Sequence, residues 1–276
     1  MILLDLNQTT FSAMFSQVRK SEDIDERLLR HIVLNCIRSY RMKFKNYGDL
    51  IVCADSSNNW RKEVFPYYKA NRKKDRDKSP LDWDKIFACF DSIRKDLDEY
   101  FPYPMIAVDK TEADDIIAVL AEIIDDQNVL ILSGDTDFVQ LHSPTVSQYD
   151  PVRKKNIKIA DTQAYLKEHI IEGDRSDGIP NVLSEDDTLV MGKRMKTLTK
   201  KRKDFLINTD PSDYPSVEKR NFQRNSQLID LSYIPENLKL DIRAKYVNKP
   251  QKDKSKLFNY FYDKRMTQFI EAISEF

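Results

Sequence analysis

The stretch NVLILSGDTDFVQL, residues 128–141, carries an apolar run that ends in two aspartates. The run VLIL has the composition of a buried strand, and Gly134 follows it among polar residues. Asp135 and Asp137 come next, one residue apart. A single Asp after a strand is an ordinary helix cap, whereas two at this spacing repel each other unless a cation lies nearby. The stretch therefore predicts a buried strand whose carboxyl end faces a cation.

Short apolar runs alternate with longer helical patterns in the first 170 residues or so. This alternation is typical of an α/β fold in which helices flank a mostly parallel central sheet. The predicted strands are 2–6, 50–55, 105–109 and 129–135, and the predicted helices are 26–44, 83–101 and 112–124. Beyond residue 172 the strand-like runs thin out and prolines and basic stretches take over. We therefore expect an α/β domain over 1–172 and a helical region over 173–276.

The composition excludes several classes of protein. The chain has 276 residues and is 41% hydrophobic, which is enough for a sizeable core, and its 45 basic residues balance its 45 acidic ones. Three cysteines without paired spacing argue against a disulfide framework or a structural zinc site, so a reducing cytoplasm is expected. No signal peptide or long apolar run is visible, so no membrane contact is expected. Only five glycines are present, which argues against a P-loop.

Nine carboxylates lie where strands end or helices begin. Since ligands of open α/β sheets bind at the carboxyl ends of the strands, we expect these acids to converge. Alone, each would most simply be a turn or capping residue, but together they require compensating cations. Hard divalent ions such as Mg²⁺ take oxygen ligands of this kind. The nine acids are Asp5, Asp55, Glu112, Asp114, Asp115, Asp135, Asp137, Asp174 and Asp177.

Two basic segments accompany these acids. The segment 61–78 interleaves tyrosines with bases, which suits phosphate binding and base stacking, although a solvated helix face with two core tyrosines explains it equally well. The segment 192–203 has seven bases and no acid, which favours a phosphate contact. The candidate nucleic-acid-binding residues are Arg61, Tyr67, Tyr68, Lys69, Arg72, Lys73, Lys74, Lys193, Arg194, Lys196, Lys200, Lys201, Arg202 and Lys203. Each of the three histidines, His31, His142 and His169, is interpreted as an ordinary surface or core residue.

Five motifs together resemble those of the 5′-nuclease (flap endonuclease) family. They are ILLDLN at 2–7, CADSSNNWRKEVFPYYKANR at 53–72, TEADDIIAVLA at 111–121, ILSGDTDFVQL at 131–141 and GDRSDGIP at 173–180. The likeness spans almost the whole chain and is strongest to the bacteriophage members, which are 5′ to 3′ exonucleases with RNase H activity. It implies a PIN-like 5′-nuclease core with a helical arch at about 61–95 and a helical DNA-binding region over 173–276.

The resemblance also implies which residues act. One metal ion would be held by Asp5, Asp55, Glu112, Asp114 and Asp135. A second would be held, partly through waters, by Asp137, Asp174 and Asp177; Asp115 matches a further family acid. Lys69 and Arg72 match the bases that reach the scissile phosphate, so they and Asp114 are the catalytic candidates. Gly178 replaces a family Asn, and no glycine-rich helix-three-turn-helix follows, so the basic run 193–203 is expected to contact duplex DNA instead.

The implied function is that of a two-metal hydrolase dependent on Mg²⁺, for which Mn²⁺ can substitute. It would act as a 5′ to 3′ exonuclease and flap endonuclease on DNA and RNA–DNA duplexes with 5′ ends or flaps, and it would remove RNA primers from lagging-strand fragments in phage DNA replication. The implied partners are a single-stranded-DNA-binding protein and a sliding clamp, in the host cytoplasm. Two alternatives remain open. DTDFV at 135–139 also fits a haloacid-dehalogenase phosphatase, and a replication accessory could bind branched DNA without cutting it.

Overall fold

A six-stranded sheet forms the centre of the protein in the computed structural model, which describes residues 1–18 and 24–276. The strand order is β3-β2-β1-β4-β5-β6, and every neighbouring pair is parallel except β5 and β6. The strands are β1 (Ile2–Asp5), β2 (Leu50–Cys53), β3 (Met105–Ile106), β4 (Val129–Leu132), β5 (Val146–Asp150) and β6 (Lys155–Ile157).

Helices cover both faces of the sheet. They are α1 (Leu6–Val18), α2 (Glu26–Lys43), α3 (Arg61–Val64), α4 (Ala70–Asp77), α5 (Trp83–Tyr100), α6 (Ala113–Ile123), α7 (Thr162–Glu172), α8 (Lys200–Asn208), α9 (Ser216–Ile229), α10 (Glu236–Val247) and α11 (Leu257–Asp263).

The strand side chains alternate between two hydrophobic cores. Ile2 and Leu4 pack into one core with α2, α5 and α11, whereas Leu3 packs into the other with α6 and α10. This alternation follows from the period of two along a strand. Because both faces are covered, the central strands need apolar residues at every position, which explains the continuous runs that marked them in the sequence.

The predicted α/β fold is confirmed, with differences at the element ends. Residues 6, 54–55, 107–109 and 133–135 lie beyond their strands, so Asp55 and Asp135 sit on the loops that follow, whereas Asp5 is the last residue of β1. Two further strands, β5 and the edge strand β6, were not predicted, because VSQYD and KNI lack a continuous apolar run. The three predicted helices are present as α2, α5 and α6, with bounds that differ by at most one residue at each end.

The C-terminal region returns to the sheet on both sides. Leu238 and Ile242 of α10 pack with α6 in one core, and Phe261 and Phe276 pack in the other. The two predicted regions therefore share hydrophobic cores, and the division at residue 172 stays a prediction. Part of the predicted arch is also core, since Ile86 and Ile93 of α5 are buried. None of the helices in the described ranges has the length and apolar character that a membrane crossing needs.

Candidate metal centre and nucleic-acid interface

The carboxyl ends of three neighbouring strands bring the first acids together. Asp5 ends β1 beside Cys53 of β2, and Leu4 pairs with Leu132 at the end of β4. Asp55 and Asp135 follow β2 and β4 by two and three residues. The convergence predicted from the strand ends is therefore present at the level of the backbone.

Local hydrogen bonds fix two of these carboxylates. Asp5 accepts from the backbone N–H of Gln8 at 3.0 Å and from the Ser133 hydroxyl at 3.0 Å. Asp55 accepts from the backbone N–H of Ala113 at 2.7 Å. That N–H belongs to the first turn of α6, where the helix dipole favours a negative charge. Both carboxylates are thus held in place without a cationic side chain bonded to them among the residues that the structure describes.

Asp5, Asp55, Asp114 and Asp135 all have raised pKa values, as expected for partly or fully buried carboxylates that lie close together. Burial, followed by the nearby Glu112 and Asp5, raises the pKa of Asp55 to about 6. Burial raises the pKa of Asp5, and burial followed by repulsion from Asp135 raises that of Asp114 well above its ordinary value. Burial, followed by repulsion from Asp137, raises the pKa of Asp135, although water on the exposed side of this residue weakens the effect. Oxygen donors in such surroundings fit divalent cations.

A second group of acids has its own cations. Glu112 lies 2.5 Å from Lys69 Nζ and 3.3 Å from Arg61 Nη1, and Asp115 lies 2.9 Å from Arg61 Nη2. Burial opposes ionisation of Glu112, but Lys69 and Arg61 outweigh it and lower its pKa to about 2. The Tyr68 hydroxyl lies 2.8 Å from Glu112. Both acids are thus paired with cationic side chains of the protein itself.

Three predicted roles need correction because of this second group. Asp115 is fully buried and bonds Arg61, the backbone N–H of Glu112 at 2.9 Å and Trp60 Nε1 at 3.3 Å, so it anchors α6 and is not positioned as a metal ligand. Arg61 is 2% exposed and cannot contact a DNA phosphate. Tyr68 is also 2% exposed, so its ring offers no face to a base.

A third group contains a residue that the sequence interpretation missed. His169 Nε2 lies 3.1 Å from Asp137 Oδ1 and 3.8 Å from Asp174 Oδ2. Within the described ranges, this is the one group of three His, Cys, Asp or Glu residues whose potential metal-ligand atoms all lie within 4.8 Å of one another. His169 was taken for an ordinary histidine. Its place on the last turn of α7, five residues before Asp174, was the signal that could have identified it.

Asp177 turns away from that trio and toward the bases. Its carboxylate lies 2.5 Å from Arg72 Nη2, 3.4 Å from Lys69 Nζ and 2.9 Å from the Tyr68 hydroxyl. The backbone N–H of Lys69 also donates to the Asp177 carbonyl at 2.7 Å. Gly178 permits this approach, because a Cβ there would come within 2.9 Å of the Tyr67 carbonyl oxygen and its φ is +76°. The loop 174–178 and the basic segment thus pack directly together.

The outer side of the first basic segment is exposed. Lys73 lies in α4 and is exposed, as is the ring of Tyr67. Lys74 donates to the Val190 carbonyl at 2.6 Å. Within 61–78 the candidate phosphate contacts are therefore Arg72, Lys73 and Lys74, together with Lys69 at the inner edge.

Acids from elsewhere in the chain pair with part of the second basic segment. Lys193 lies 2.9 Å from Asp187, Arg202 lies 2.6 Å from Glu218, and Lys203 lies 2.6 Å from Glu172. Four bases form no ion pair within the part of the chain that the structure describes. They are Arg194, Lys196, Lys200 and Lys201. Lys200 and Lys201 open α8, whose N-cap is Thr199.

The chain matches two family models that together span its length. The model for the 5′-3′ exonuclease N-terminal resolvase-like domain matches residues 1–171. The model for the T4 RNase H C-terminal domain matches residues 161–276.

Curated relatives agree with these matches. Ribonuclease H of Enterobacteria phage T4 is 32% identical over 294 residues, which cover 99% of this chain and 95% of the relative. The flap endonuclease Xni of Shewanella sp. (strain MR-4) is 25% identical over 179 residues, covering 61% of this chain and 65% of the relative.

Solved structures show the same fold. A bacteriophage T5 flap endonuclease, in a pseudo-enzyme–product complex with DNA and metal ions, superposes with a TM-score of 0.61 at 17% identity over 96% of this chain and 97% of its own. A T5 5′-exonuclease with bound zinc superposes with a TM-score of 0.60 at 17% identity over 89% of this chain and 93% of its own.

Proposed function

Because this chain belongs to the 5′-3′ exonuclease family and is therefore a nuclease that hydrolyses phosphodiesters, we propose that it is a divalent-metal-dependent 5′ to 3′ exonuclease and flap endonuclease. The observation that carries the proposal is the charge at the end of the sheet. Asp5, Asp55 and Asp114 have raised pKa values, and within residues 1–18 and 24–276 no cationic side chain is bonded to them. Such a group is stable in its ionised form only when cations bind to it.

The donors present fit two divalent ions, which we propose to be Mg²⁺, with Mn²⁺ as a substitute. Bound ions would supply an activated water and offset the charge of the leaving oxygen. One position would be held by Asp5, Asp55, Glu112, Asp114 and Asp135, and the other by Asp137 and Asp174, whereas Asp177 is paired with Arg72 and Lys69.

Lys69 and Arg72 would hold the scissile phosphate. Arg72 is well placed to do so, because its guanidinium is 45% exposed while it lies beside Asp177. Lys69 is more enclosed and stays protonated, since Asp177 and Glu112 raise its pKa although burial opposes them. Their charge would offset the negative charge that develops on the phosphate during attack. Tyr68 would position this pair, because its hydroxyl contacts the two acids to which Lys69 is bonded.

The biological task we propose is the removal of RNA primers from lagging-strand fragments during phage DNA replication in the host cytoplasm. A relative over nearly the full length is a ribonuclease H from a phage, which supports this proposal. Substrates would be DNA and RNA–DNA duplexes with 5′ ends or flaps, and partners would include a single-stranded-DNA-binding protein and a sliding clamp. Residues 61–82 would form the arch, since α5 belongs to the core, and the helical region from residue 173 would bind the duplex.

A digestion series tests the proposal. Nicked, flapped and RNA-primed duplexes, labelled at the 5′ or the 3′ end, would be incubated with and without Mg²⁺. We expect Mg²⁺-dependent release of short products that carry 5′-phosphates. A phosphomonoester substrate serves as the control for the phosphatase alternative. Hydrolysis of the monoester without cleavage of any duplex would contradict the proposal, as would duplex binding without cleavage.

A further inference from the structure

The trio of Asp137, His169 and Asp174 is built from three rigid elements. Asp137 lies in the 3₁₀ turn Thr136–Leu141, and its backbone N–H donates to Asp135 at 3.0 Å. His169 lies on the last turn of α7. Asp174 follows Gly173, whose φ of +69° reverses the chain after the helix. The three side chains are each about one-fifth exposed, at 19%, 18% and 20%.

Hydrogen bonding leaves one atom of each side chain free to face the others. Asp174 Oδ1 accepts from the backbone N–H groups of Ser176 at 2.7 Å and Asp177 at 3.2 Å, so Oδ2 is the oxygen directed at His169. His169 Nε2 is inaccessible to solvent and has no hydrogen-bond partner among the residues that the structure describes, since its contact with Asp137 lacks hydrogen-bond geometry. A buried ring nitrogen without a partner is costly unless something binds it.

The spacing of these atoms matches that of metal ligands. Two ligands about 2.0–2.2 Å from one ion, at tetrahedral or octahedral angles, lie about 2.8–3.6 Å from each other. The Nε2 atom lies 3.1 Å from Asp137 Oδ1, within that range, and 3.8 Å from Asp174 Oδ2, slightly beyond it. The ligand atoms of all three residues lie within 4.8 Å of one another, so one ion between them would be near each.

We propose that His169 is a direct nitrogen ligand at the metal position of Asp137 and Asp174, and that its imidazole raises the affinity of this position for Zn²⁺ or Co²⁺, while Mg²⁺ remains the ion proposed to support cleavage. Imidazole suits zinc and neighbouring transition metals, whereas sites made only of oxygen suit Mg²⁺. The group around Asp5 and Asp114 contains only oxygen donors, so the two positions would differ in metal preference. The inference deepens the proposed function and rests on it for the role of the bound ion.

Metal binding to the full-length wild-type protein tests the proposal without any substrate. Calorimetric titrations of chelator-treated protein with ZnCl₂ and MgCl₂ would be compared with those of His169→Gln and His169→Asn. The matched control is His142→Gln, since His142 bonds Gln148 at 2.9 Å and lies outside the trio. We expect Zn²⁺ affinity to fall by about 10- to 100-fold in both His169 variants. Mg²⁺ affinity should change by less than about 3-fold, and the control should bind both metals as wild type does.

A spectroscopic measurement identifies the ligand atom. Pulsed electron paramagnetic resonance of protein loaded with Mn²⁺ detects a nitrogen bound to the ion. We expect an imidazole nitrogen coupling in wild type and in His142→Gln, and its loss in His169→Gln. Absence of the coupling in wild type, or equal Zn²⁺ affinity in wild type and both His169 variants, would overturn the proposal. Mg²⁺-dependent cleavage of a 5′ flap by wild type would then still support the proposed function, so the two failures are distinguishable.

Discussion

Two groups of acids lie side by side at the end of the sheet, and they differ in what neutralises them. Glu112 and Asp115 face Arg61 and Lys69, all supplied by the chain itself. Asp114, between those two acids in sequence, has no hydrogen bond or ion pair within the described ranges, and repulsion from Asp135 and Glu112 adds to the effect of its burial. The pKa of Glu112 is accordingly lowered to about 2, whereas that of Asp114 is raised.

The contrast shows that burial alone does not decide the charge state of a carboxylate. Glu112 and Asp114 are both largely enclosed by protein, and the presence of a cationic partner determines the sign of the pKa shift. The charges of the compensated group cancel within the fold, so this group needs no cation from solution to be stable. The uncompensated group depends on cations from solution, which is the property that a metal-dependent nuclease requires. Removing a charge from the compensated group should therefore destabilise the fold, whereas removing one from the uncompensated group should stabilise the metal-free protein.

The largest expected effect is on cleavage by Asp114→Asn. Removing this carboxylate takes a donor from the uncompensated group but no contact from the exposed bases, so we expect cleavage of a 5′-flap duplex to fall roughly 10³-fold or more. DNA affinity should stay within about 3-fold of wild type, because phosphate contacts dominate affinity. Single-turnover kinetics in Mg²⁺ measure the cleavage rate, and a gel-shift assay in Mg²⁺ measures the DNA affinity. Turnover near the wild-type rate at saturating Mg²⁺ would show that Asp114 holds no essential ion.

The next effect is on stability, and it comes from the compensated group. Arg61→Met keeps most of the side-chain volume but leaves Asp115 fully buried without its cation. We expect the free energy of unfolding to fall by about 3–5 kcal/mol, as for other broken buried ion pairs. Urea denaturation of metal-free protein measures this loss.

Arg153→Met is the matched control for that loss, since the Arg153 side chain is 67% exposed and its contact with Asp150 is 3.7 Å long. The control should change stability by less than about 0.5 kcal/mol. An equal, small change in both variants would mean that the Arg61 pair contributes nothing to the fold.

A smaller effect of opposite sign is expected when Asp114→Asn is denatured without metal. Neutralising a carboxylate that is repelled by its neighbours should raise the free energy of unfolding by roughly 1–2 kcal/mol. Added Mg²⁺ should stabilise wild type more than the variant, because ligands stabilise the state that binds them. Asp125→Asn, on the exposed surface after α6, is the control and should show neither change. Destabilisation of the metal-free variant would place Asp114 in the compensated group instead.

The sequence predicted the positions of these acids but not their partners. The convergence of the strands was predictable to within one to three residues, because the apolar runs of β1, β2 and β4 are continuous and parallel strands end at one edge. The pairing of Arg61 with Asp115 could not be predicted, because the two residues are 54 positions apart and only the tertiary fold brings α3 and α6 together. His169 was missed for the same reason, because its contact with Asp137 is 32 residues distant in sequence.

The same contrast between paired and unpaired charges applies to the bases of α8. Lys200 and Lys201 form no ion pair within the described residues, whereas Arg202 and Lys203 are bonded to Glu218 and Glu172. A basic side chain already paired with an acid neutralises a DNA phosphate less completely and releases fewer of the cations condensed on DNA. Only Lys200 and Lys201 should therefore contribute fully to the salt dependence of DNA binding.

The smallest predicted effect is therefore a change in a slope. Lys200→Ser combined with Lys201→Ser should flatten the plot of log affinity against log salt by about 1.8, at roughly 0.9 for each lost phosphate contact. Arg202→Ser combined with Lys203→Ser is the matched control, with the same change in charge on the same helix, and should flatten it by less than half as much. Fluorescence anisotropy with a 5′-flap duplex between 50 and 200 mM salt measures both slopes. Equal slopes for the two double variants would mean that net charge, and not pairing, determines which bases bind DNA. A slope unchanged by Lys200→Ser and Lys201→Ser would identify the start of α8 as a solvated surface, and the duplex contact would then fall to the exposed side of α4.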